Sequence, residues 1–256
     1  MSQATTPLIE TRDLVKYFST KNGLLHAVDH VNITIPKGQT LGVVGESGCG
    51  KSTLGRTILR LLEPTSGDIL YDGESIVGYD KRQMKEMRRK MQIIFQDPYA
   101  SLNPRMSISE IIGEPMKVAK MYKGDAEREE RVFQLMETAG LAERLVNSYP
   151  HELDGGRRQR VGIARALSVN PEFIVCDEPV SALDVSIQAQ ILNLMMDLQD
   201  NFGLTYMFVT HDLSVIKHIS QHIAVMYLGQ CVEFASTEEL FQHPAHPYTQ
   251  ALLAAI

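Results

Sequence analysis

The stretch Gly45-Glu46-Ser47-Gly48-Cys49-Gly50-Lys51-Ser52-Thr53 has the spacing G-x-x-x-x-G-K-[ST]. It follows the apolar run Thr40-Leu41-Gly42-Val43-Val44, typical of a buried strand, and leads into residues 54–62, whose apolar side chains recur at helical spacing. Glycines let successive backbone N–H groups converge on phosphate oxygens, the Lys51 ammonium reaches the β and γ phosphates, and the Ser52 hydroxyl can ligate Mg²⁺. Because strand, loop and helix follow in the required order, the stretch predicts a nucleotide site at a helix N-terminus, where the dipole favours anions.

The composition describes a globular chain of 256 residues, 44% of them hydrophobic, with a formal net charge of -6 at pH 7. This size allows one large domain or two interleaved lobes, and the mild acidity argues against a nucleic-acid-coating surface, so no nucleic acid partner is expected. No stretch approaches the roughly 18 apolar residues of a membrane span, and residues 1–7 lack the apolar core of a signal peptide, so we expect a chain neither secreted nor integral to a bilayer. The chain has three dispersed cysteines, Cys49, Cys176 and Cys231. They offer neither a disulfide framework nor the spacing of zinc ligands, and this pattern suits a reducing compartment.

Hydrophobic periodicity predicts strands on both sides of the loop. Residues 8–14 and 27–35 alternate apolar and polar side chains, and residues 68–71 form a short run that ends at Asp72-Gly73. These runs predict a small antiparallel β layer around the nucleotide strand. A helix at 81–90 and a strand at 91–95 come next, followed by a mainly helical region at 107–168 that is broken near Gly124 and at Tyr149-Pro150. After this region strands and helices alternate as in an α/β core, with strands at 173–176, 206–209 and 223–227 and helices at 185–201 and from 213.

A second element of a phosphate site lies in the returning core. The apolar run Phe173-Ile174-Val175-Cys176 is followed directly by Asp177 and Glu178. Ligands of open α/β sheets collect at the carboxyl ends of strands, so Asp177 is expected to hold Mg²⁺, directly or through water. Glu178 is expected to act as general base for the attacking water. Alone, this pattern is more typical of a solvated strand terminus; together with the phosphate loop it indicates a hydrolytic site.

Further motifs occur in a fixed order. Residues 151–161, His151-Glu152-Leu153-Asp154-Gly155-Gly156-Arg157-Arg158-Gln159-Arg160-Val161, precede a predicted helix. Gln96 ends one apolar strand, Ser181-Ala182-Leu183-Asp184 follows the Asp-Glu pair, and His211 ends another apolar strand. These residues resemble the LSGGQ-type signature, the Q-loop, the D-loop and the switch histidine of the ATP-binding cassette (ABC) proteins.

The resemblance covers essentially the whole chain, and Phe18, with Tyr17 beside it, is similar to the aromatic residue that stacks on adenine. It implies an α/β fold with a P-loop NTPase core, an antiparallel β subdomain and an inserted α-helical subdomain. Residues 1–256 are then expected to form a single ABC ATPase domain. Within it, 1–96 and 169–256 would make the α/β core with the β subdomain, and 97–168 the helical subdomain with the Q-loop and signature motif.

The ABC resemblance also implies roles for individual residues. Glu178, His211 and Gln96 are expected to be catalytic, and Ser52, Gln96 and Asp177 to ligate Mg²⁺. His211 would hydrogen-bond the γ-phosphate and orient the attacking water. The residues expected to contact ATP are Phe18, Gly45, Glu46, Ser47, Gly48, Cys49, Gly50, Lys51, Ser52, Thr53, Asp154, Gly155, Gly156, Arg157 and Asp184.

Two stretches look like one branch of the family, the importers of oligopeptides, dipeptides and nickel: Phe95-Gln96-Asp97-Pro98-Tyr99-Ala100-Ser101-Leu102-Asn103-Pro104-Arg105 and His246-Pro247-Tyr248-Thr249. They imply an ATPase that drives peptide uptake, with import of nickel or another small solute as the alternative. Related chains are expected to continue beyond the second stretch into a cysteine-containing extension that can hold an iron–sulfur cluster.

In such importers two ATPase subunits, identical or homologous, face head to tail, so that ATP on one phosphate loop is capped by the signature glycines of the other. The resemblance therefore implies a second ATPase, two integral membrane permease subunits and, indirectly, an extracytoplasmic solute-binding protein. The expected location is the cytoplasmic face of the membrane, as a peripheral subunit. An ABC ATPase without a role in transport, or a regulatory nucleotide-binding module, would carry many of the same motifs.

The signature departs from the family pattern at two positions. Asp154 stands where a serine hydroxyl normally donates to the γ-phosphate, and Arg157 replaces the usual glutamine. A carboxylate beside a phosphate is repulsive, and we expect Arg157 either to pair with Asp154 or to address the phosphate itself, because a guanidinium suits both. A tolerated variant with ordinary activity is the alternative. His218 and His222 have the spacing of a helical metal pair, but they straddle a predicted helix-to-strand break, which disfavours a metal site.

Overall fold

The strands form two sheets in the computed structural model, which describes residues 6–21 and 23–254. Residues 1–5, on which part of the predicted polar N-terminus falls, lie outside the described residues. The strands are β1 (Ile9–Thr20), β2 (Gly23–Val31), β3 (Thr34–Ile35), β4 (Thr40–Val44), β5 (Ser66–Tyr71), β6 (Glu74–Ser75), β7 (Met91–Ile94), β8 (Phe173–Asp177), β9 (Thr205–Val209), β10 (His222–Tyr227) and β11 (Gln230–Ser236).

The helices lie between and after these strands. They are α1 (Lys51–Ile58), α2 (Lys81–Lys90), α3 (Pro98–Ser101), α4 (Ile108–Ala119), α5 (Asp125–Thr138), α6 (Gly155–Leu167), α7 (Val185–Phe202), α8 (Leu213–Ile219), α9 (Thr237–Gln242) and α10 (Pro247–Ala254), with short 3-10 helices at Glu143–Leu145 and Pro150–Glu152. Among the residues that the model describes, none of these helices is long and apolar enough to cross a membrane.

The larger sheet is mostly parallel and runs in the order β11-β10-β4-β9-β8-β7. Every residue of β4, β8 and β9 is buried, which explains why these segments read as unbroken apolar runs rather than as alternating ones. Strand β11, at one edge, pairs with β10 in the antiparallel sense. Because β4, β8 and β9 are adjacent and parallel, their carboxyl ends meet at one edge of the sheet and place the loops that follow them side by side.

The smaller sheet is antiparallel and runs in the order β2-β1-β5-β6, with β3 paired to β1. The predicted antiparallel layer exists, but the prediction that it surrounds the nucleotide strand was wrong, because β4 belongs to the parallel sheet. The predicted strand at 27–35 is two strands. The Thr11 hydroxyl donates to the Val31 carbonyl and accepts the Ile33 amide, at 2.9 and 3.0 Å, and the chain turns there from β2 to β3.

The buried hydrophobic residues form two clusters, and successive residues of β4, the strand before the phosphate loop, belong to different clusters. Val43 packs with α1 and the antiparallel sheet, whereas Val44 packs with the helical region and the later core helices. Side chains alternate between the faces of a strand, so one fully buried strand needs cover on both sides. The parallel sheet is thus the middle layer, and the site lies at its carboxyl edge.

The helical region follows β7 and packs against the parallel sheet through α6. Helix α4 begins with a capping box in which Ser107 and Glu110 bond each other's backbone amides, and it packs against α5 and α6. The predicted breaks are found, because Gly124 caps α5 and Pro150 begins a 3-10 helix. Helix α6 contributes buried residues such as Val161 to the same cluster as the sheet. The signature residues therefore begin a helix that is fixed to the core.

Candidate nucleotide-binding site

The phosphate loop joins β4 to α1 and depends on two tightly packed glycines. Gly45 has a φ of +146°, and a Cβ there would lie 2.2 Å from the Met226 carbonyl oxygen. Gly50 has a φ of +106°, and a Cβ there would lie 1.9 Å from the carbonyl oxygen of Ala27. Both positions exclude any other residue, since the backbone conformation and the space demand glycine. The loop is therefore held between β10 and β2, with its open side toward the cavity described below.

Lys51 begins α1 and is only 4% exposed. Its Nζ donates to the carbonyl oxygens of Gly45 and Glu46, at 2.7 and 2.8 Å, so the ammonium lies inside the loop. Burial of a charge is tolerated where its donors are satisfied. The same ammonium faces the space that the loop encloses, where it can meet phosphate oxygens.

Asp177 ends β8 and is 1% exposed. Its Oδ1 accepts the Ser52 hydroxyl at 2.6 Å, and its Oδ2 accepts Nη2 of Arg56 at 3.2 Å. Sequence reasoning had not included Arg56, although it lies four residues after Ser52 and so on the same face of α1. A buried carboxylate beside a hydroxyl at a phosphate loop is the hard oxygen donor set that Mg²⁺ prefers, so these two residues fit the ion.

Glu178 follows Asp177 and is brought together with two other predicted residues. Its Oε2 accepts Nε2 of Gln96 at 2.9 Å, and its Oε1 lies 3.5 Å from Nδ1 of His211. The backbone of Glu178 has a φ of +47°, which is uncommon for a residue other than glycine, and its amide donates to the Val209 carbonyl at the end of β9. The left-handed turn thus directs this carboxylate toward the cavity from the end of a buried strand.

A cavity of about 600 Å³ connects these groups with the aromatic residue of β1. Phe18 is among the residues that line it, and Nζ of Lys16 lies 5.0 Å from the centroid of the Phe18 ring. The lining consists of Phe18, Leu25, His26, Ala27, Ser47, Gly48, Gly50, Lys51, Ser52, Thr53, Gln96, Glu178, His211, Leu228 and Gly229. A cavity lined by an aromatic ring, an N–H-rich loop and a carboxylate suits a nucleoside polyphosphate in its chemistry.

Tyr17, next to Phe18 in β1, contacts His26 and Asp29 and is not among the residues that line the cavity. Its ring stacks on His26 at 3.9 Å, and its hydroxyl donates to Asp29. This hydrogen bond raises the pKa of Tyr17 and lowers that of Asp29, which also accepts Nε2 of Gln230 at 2.8 Å. Of the two neighbouring rings, Phe18 is therefore the one that lines the cavity. His26, Leu25 and Leu228 were missed by sequence reasoning, because only pairing of β1 with β2 and the turn after β10 bring them here.

The signature residues lie apart from this cavity. Asp154 caps α6, where its Oδ1 accepts the Arg157 amide at 2.8 Å and its Oδ2 lies 3.5 Å from Nε of Arg157. Gly155 and Gly156 form the first turn of the same helix, and Asp184 precedes α7. None of these residues lines the described cavity, nor do Gly45, Glu46, Cys49 and the metal-ligand candidate Asp177. The expected pairing of Asp154 with Arg157 is found within this chain.

Comparisons with known proteins show which family this chain resembles. A family model described as "ABC transporter" matches residues 28–181, and one described as "Oligopeptide/dipeptide transporter, C-terminal region" matches residues 232–256. The chain is 56% identical to the oligopeptide transport ATP-binding protein OppF of Bacillus subtilis, over 98% of this chain and 83% of that protein. It is 52% identical to AppF of the same organism, an oligopeptide transport ATP-binding protein, over 97% of this chain and 78% of that protein.

Solved structures show the same fold. A dimeric post-hydrolysis state of the ATP-binding cassette MJ0796 bound to ADP and Pi superposes with a TM-score of 0.81, at 30% identity, over 90% of this chain and 98% of that chain. The subunit cbiO1 from Clostridium perfringens, part of the transporter complex cbiONQ, superposes with a TM-score of 0.81 at 27% identity, over 93% of this chain and 92% of that chain.

Proposed function

The chain belongs to the ABC transporter ATP-binding proteins, and from this premise we propose how its residues bind ATP and drive transport. It is the ATP-hydrolysing subunit of a peptide importer, as the similarity to peptide transport ATP-binding proteins and the C-terminal family match support. The importers of nickel or another small solute, the alternative within the same branch, have no comparable support. Neither a non-transport ABC ATPase nor a purely regulatory module is favoured by any observation.

ATP occupies the cavity with its base on Phe18 and its phosphates in the loop from Gly45 to Thr53. Backbone N–H groups and the Lys51 ammonium neutralise the β and γ phosphates, in line with the burial of that ammonium inside the loop. Ser52, Asp177 and Gln96 would hold Mg²⁺. Held there, it would supply positive charge to offset the negative charge that develops on the phosphates during phosphoryl transfer.

Hydrolysis uses the three groups that meet at the carboxyl edge of the sheet. The Glu178 carboxylate takes a proton from the attacking water as general base, while His211 and Gln96 keep it in position through the contacts described above. His211 also hydrogen-bonds the γ-phosphate. Gln96 follows β7 directly and precedes α3, so a shift of the helical region moves a group that touches Glu178.

A second ATPase subunit completes each ATP site with its own signature residues. The separation of Asp154, Gly155, Gly156, Arg157 and Asp184 from this chain's cavity supports that arrangement, as does the dimeric state of a similar cassette. The other partners are two integral membrane permeases and, through them, an extracytoplasmic solute-binding protein. The subunit would then lie at the cytoplasmic face of the membrane, as a peripheral component.

A single observation carries the proposed chemistry: Lys51, Asp177, Glu178, Gln96 and His211 converge on one cavity or its edge. Lys51→Ala removes the positive charge that is expected to neutralise the phosphates, and it should abolish tight ATP binding. Glu178→Gln retains that charge and should bind ATP normally while hydrolysing it very slowly. ATP-dependent dimerisation, measured by gel filtration, together with ATP turnover separates the two variants. Equal behaviour of both would contradict the assigned roles.

Peptide uptake itself is tested with the assembled importer. The chain is reconstituted with its permeases and a second ATPase in vesicles, and uptake of a labelled oligopeptide is compared with uptake of labelled nickel. ATP-dependent uptake of the peptide alone is the expected result. Uptake of nickel alone would instead identify the small-solute branch, while leaving the ATPase assignment intact.

A further inference from the structure

The first peptide of the phosphate loop is fixed from outside the loop. The hydroxyl oxygen of Tyr248 accepts the backbone amide of Glu46 at 3.0 Å, although the two residues are 202 positions apart. The carbonyl of the same residue, Glu46, accepts Nζ of Lys51 at 2.8 Å. Both the amide and the carbonyl of Glu46 are therefore held, one by α10 and the other by the lysine that addresses the phosphates.

The Glu46 amide differs in its surroundings from those of Ser47, Gly48 and Gly50. Glu46 does not line the described cavity, whereas Ser47, Gly48 and Gly50 do. An amide directed away from the phosphates needs another acceptor, and each backbone donor in a native fold normally has one. Tyr248 supplies that acceptor, and the loop is thereby fixed in the orientation in which its remaining amides face the cavity.

Tyr248 is itself held on two sides. Its ring packs on Tyr227, at the end of β10, with the ring centroids 4.5 Å apart. The turn before it is held by Glu233 of β11, whose carboxylate oxygens accept the amides of Ala245 and His246 at 2.8 and 3.0 Å. Burial alone would raise the pKa of Glu233, but the hydrogen bonds that it accepts from these two amides lower it, so this carboxylate is ionised at neutral pH.

We propose that Tyr248 is a positioning residue for ATP binding, through which the C-terminal segment 232–254 holds the phosphate loop in its phosphate-binding conformation. The inference rests on the proposed function, because it concerns the same ATP site. It assigns to this segment a role in nucleotide affinity, in addition to any contact with other subunits. Tyr248 does not touch the reacting atoms, so it acts on binding and not on the chemical step.

Tyr248→Phe tests the hydroxyl while keeping the ring and its packing. Loss of one net hydrogen bond should raise the Kd for ATP about fivefold. The turnover at saturating ATP should stay within about twofold of the unmodified value, because Glu178 and His211 are untouched. A fluorescent ATP analogue titrated against the full-length protein gives the Kd, and the reconstituted complex gives KM and kcat. Hydrogen exchange of the loop peptide should quicken in the variant, since the Glu46 amide loses its acceptor.

Tyr227→Phe is the matched control, because it removes a hydroxyl from the neighbouring ring, one that makes no hydrogen bond within the described part of the chain. It should bind ATP like the unmodified protein. Glu233→Gln is the second variant, in which one of the two acceptor oxygens beneath the 245–246 turn becomes a donor. It should also weaken ATP binding, and it tests the inference if Tyr248→Phe does not fold.

Unchanged ATP affinity in both Tyr248→Phe and Glu233→Gln overturns the inference, as does an equal loss in Tyr227→Phe. A lower kcat with an unchanged KM overturns it as well, since that pattern belongs to the chemical step. If the unmodified protein itself does not bind ATP, and Lys51→Ala does not differ from it, the proposed function fails instead.

Discussion

Arg157→Gln should weaken the ATP site that this chain completes for its partner, and the reason lies in the first turn of α6. Asp154 places a carboxylate where a phosphate of the partner's nucleotide is expected, and Nε of Arg157 lies 3.5 Å from that carboxylate. The substitution removes the compensating charge and leaves the carboxylate in place. The Arg157 position keeps its backbone amide, which Asp154 accepts at 2.8 Å, so the start of the helix is retained.

The size of the expected loss in ATP affinity depends on how exposed the two charged side chains are to solvent. Two unit charges ~4 Å apart interact by about 4 kcal/mol at an effective dielectric constant of ~20, and by about 1 kcal/mol in water. The Asp154 and Arg157 side chains are 60% and 48% exposed, which favours the lower figure and makes the pair itself worth little to folding. About 1 kcal/mol of uncompensated repulsion corresponds to roughly a fivefold rise in KM for ATP at that composite site.

ATP turnover of the reconstituted complex, measured across ATP concentrations, tests this with three variants. Arg157→Gln should raise KM, and Asp154→Ser, which removes the carboxylate but keeps an N-cap oxygen, should raise turnover modestly. The double variant Asp154→Ser/Arg157→Gln should recover most of the affinity. A double variant as impaired as Arg157→Gln alone would refute compensation and indicate that the guanidinium binds the phosphate itself. Unchanged kinetics in all three would show that this charge pair is neutral for ATP binding.

Two further predictions concern the base end of the site and the thiols. Phe18→Ala should weaken ATP binding by about 1 to 3 kcal/mol, the value of an aromatic–base stack, in an equilibrium titration in which Tyr17→Ala changes affinity little; the reverse order would assign the stack to Tyr17. Burial raises the pKa of Cys231 to about 11, so alkylation by iodoacetamide, followed by mass spectrometry, should accelerate about tenfold per pH unit from pH ~7 to ~10. A rate that levels off near pH ~8.5 would indicate an ordinary, solvated thiol.

The chemistry of the site could be predicted from the sequence because its parts are local. A phosphate loop needs a strand, a glycine-rich turn, a lysine and a helix in consecutive positions, and residues 40–58 supply them in that order. Asp177 ends a fully buried strand, and Glu178 follows it directly. These features depend on neighbours in the sequence, so their elements were found with boundaries shifted by only a few residues.

The missed elements lack such a local pattern. Strand β11 has no fully buried run and mostly half-buried residues, so its periodicity does not distinguish it from a loop, and α9 and α10 were not predicted either. The break between β2 and β3 depends on the hydroxyl of Thr11, some 20 positions earlier. These features arise from pairing with segments that are distant in the sequence, which periodicity does not report.

The sequence alone predicts a nucleotide site and the residues expected to contact the phosphates, because backbone amides, a lysine and two carboxylates at fixed local spacing have that chemistry wherever they fold. The assembled fold was needed to show which aromatic ring lines the cavity, that Arg56 shares Asp177 with Ser52, and that Tyr248 holds Glu46. The physical reason is that these contacts join segments up to 202 positions apart. They exist because parallel strands align their carboxyl ends and the antiparallel sheet and α10 pack around that edge, and this alignment is a property of the assembled core.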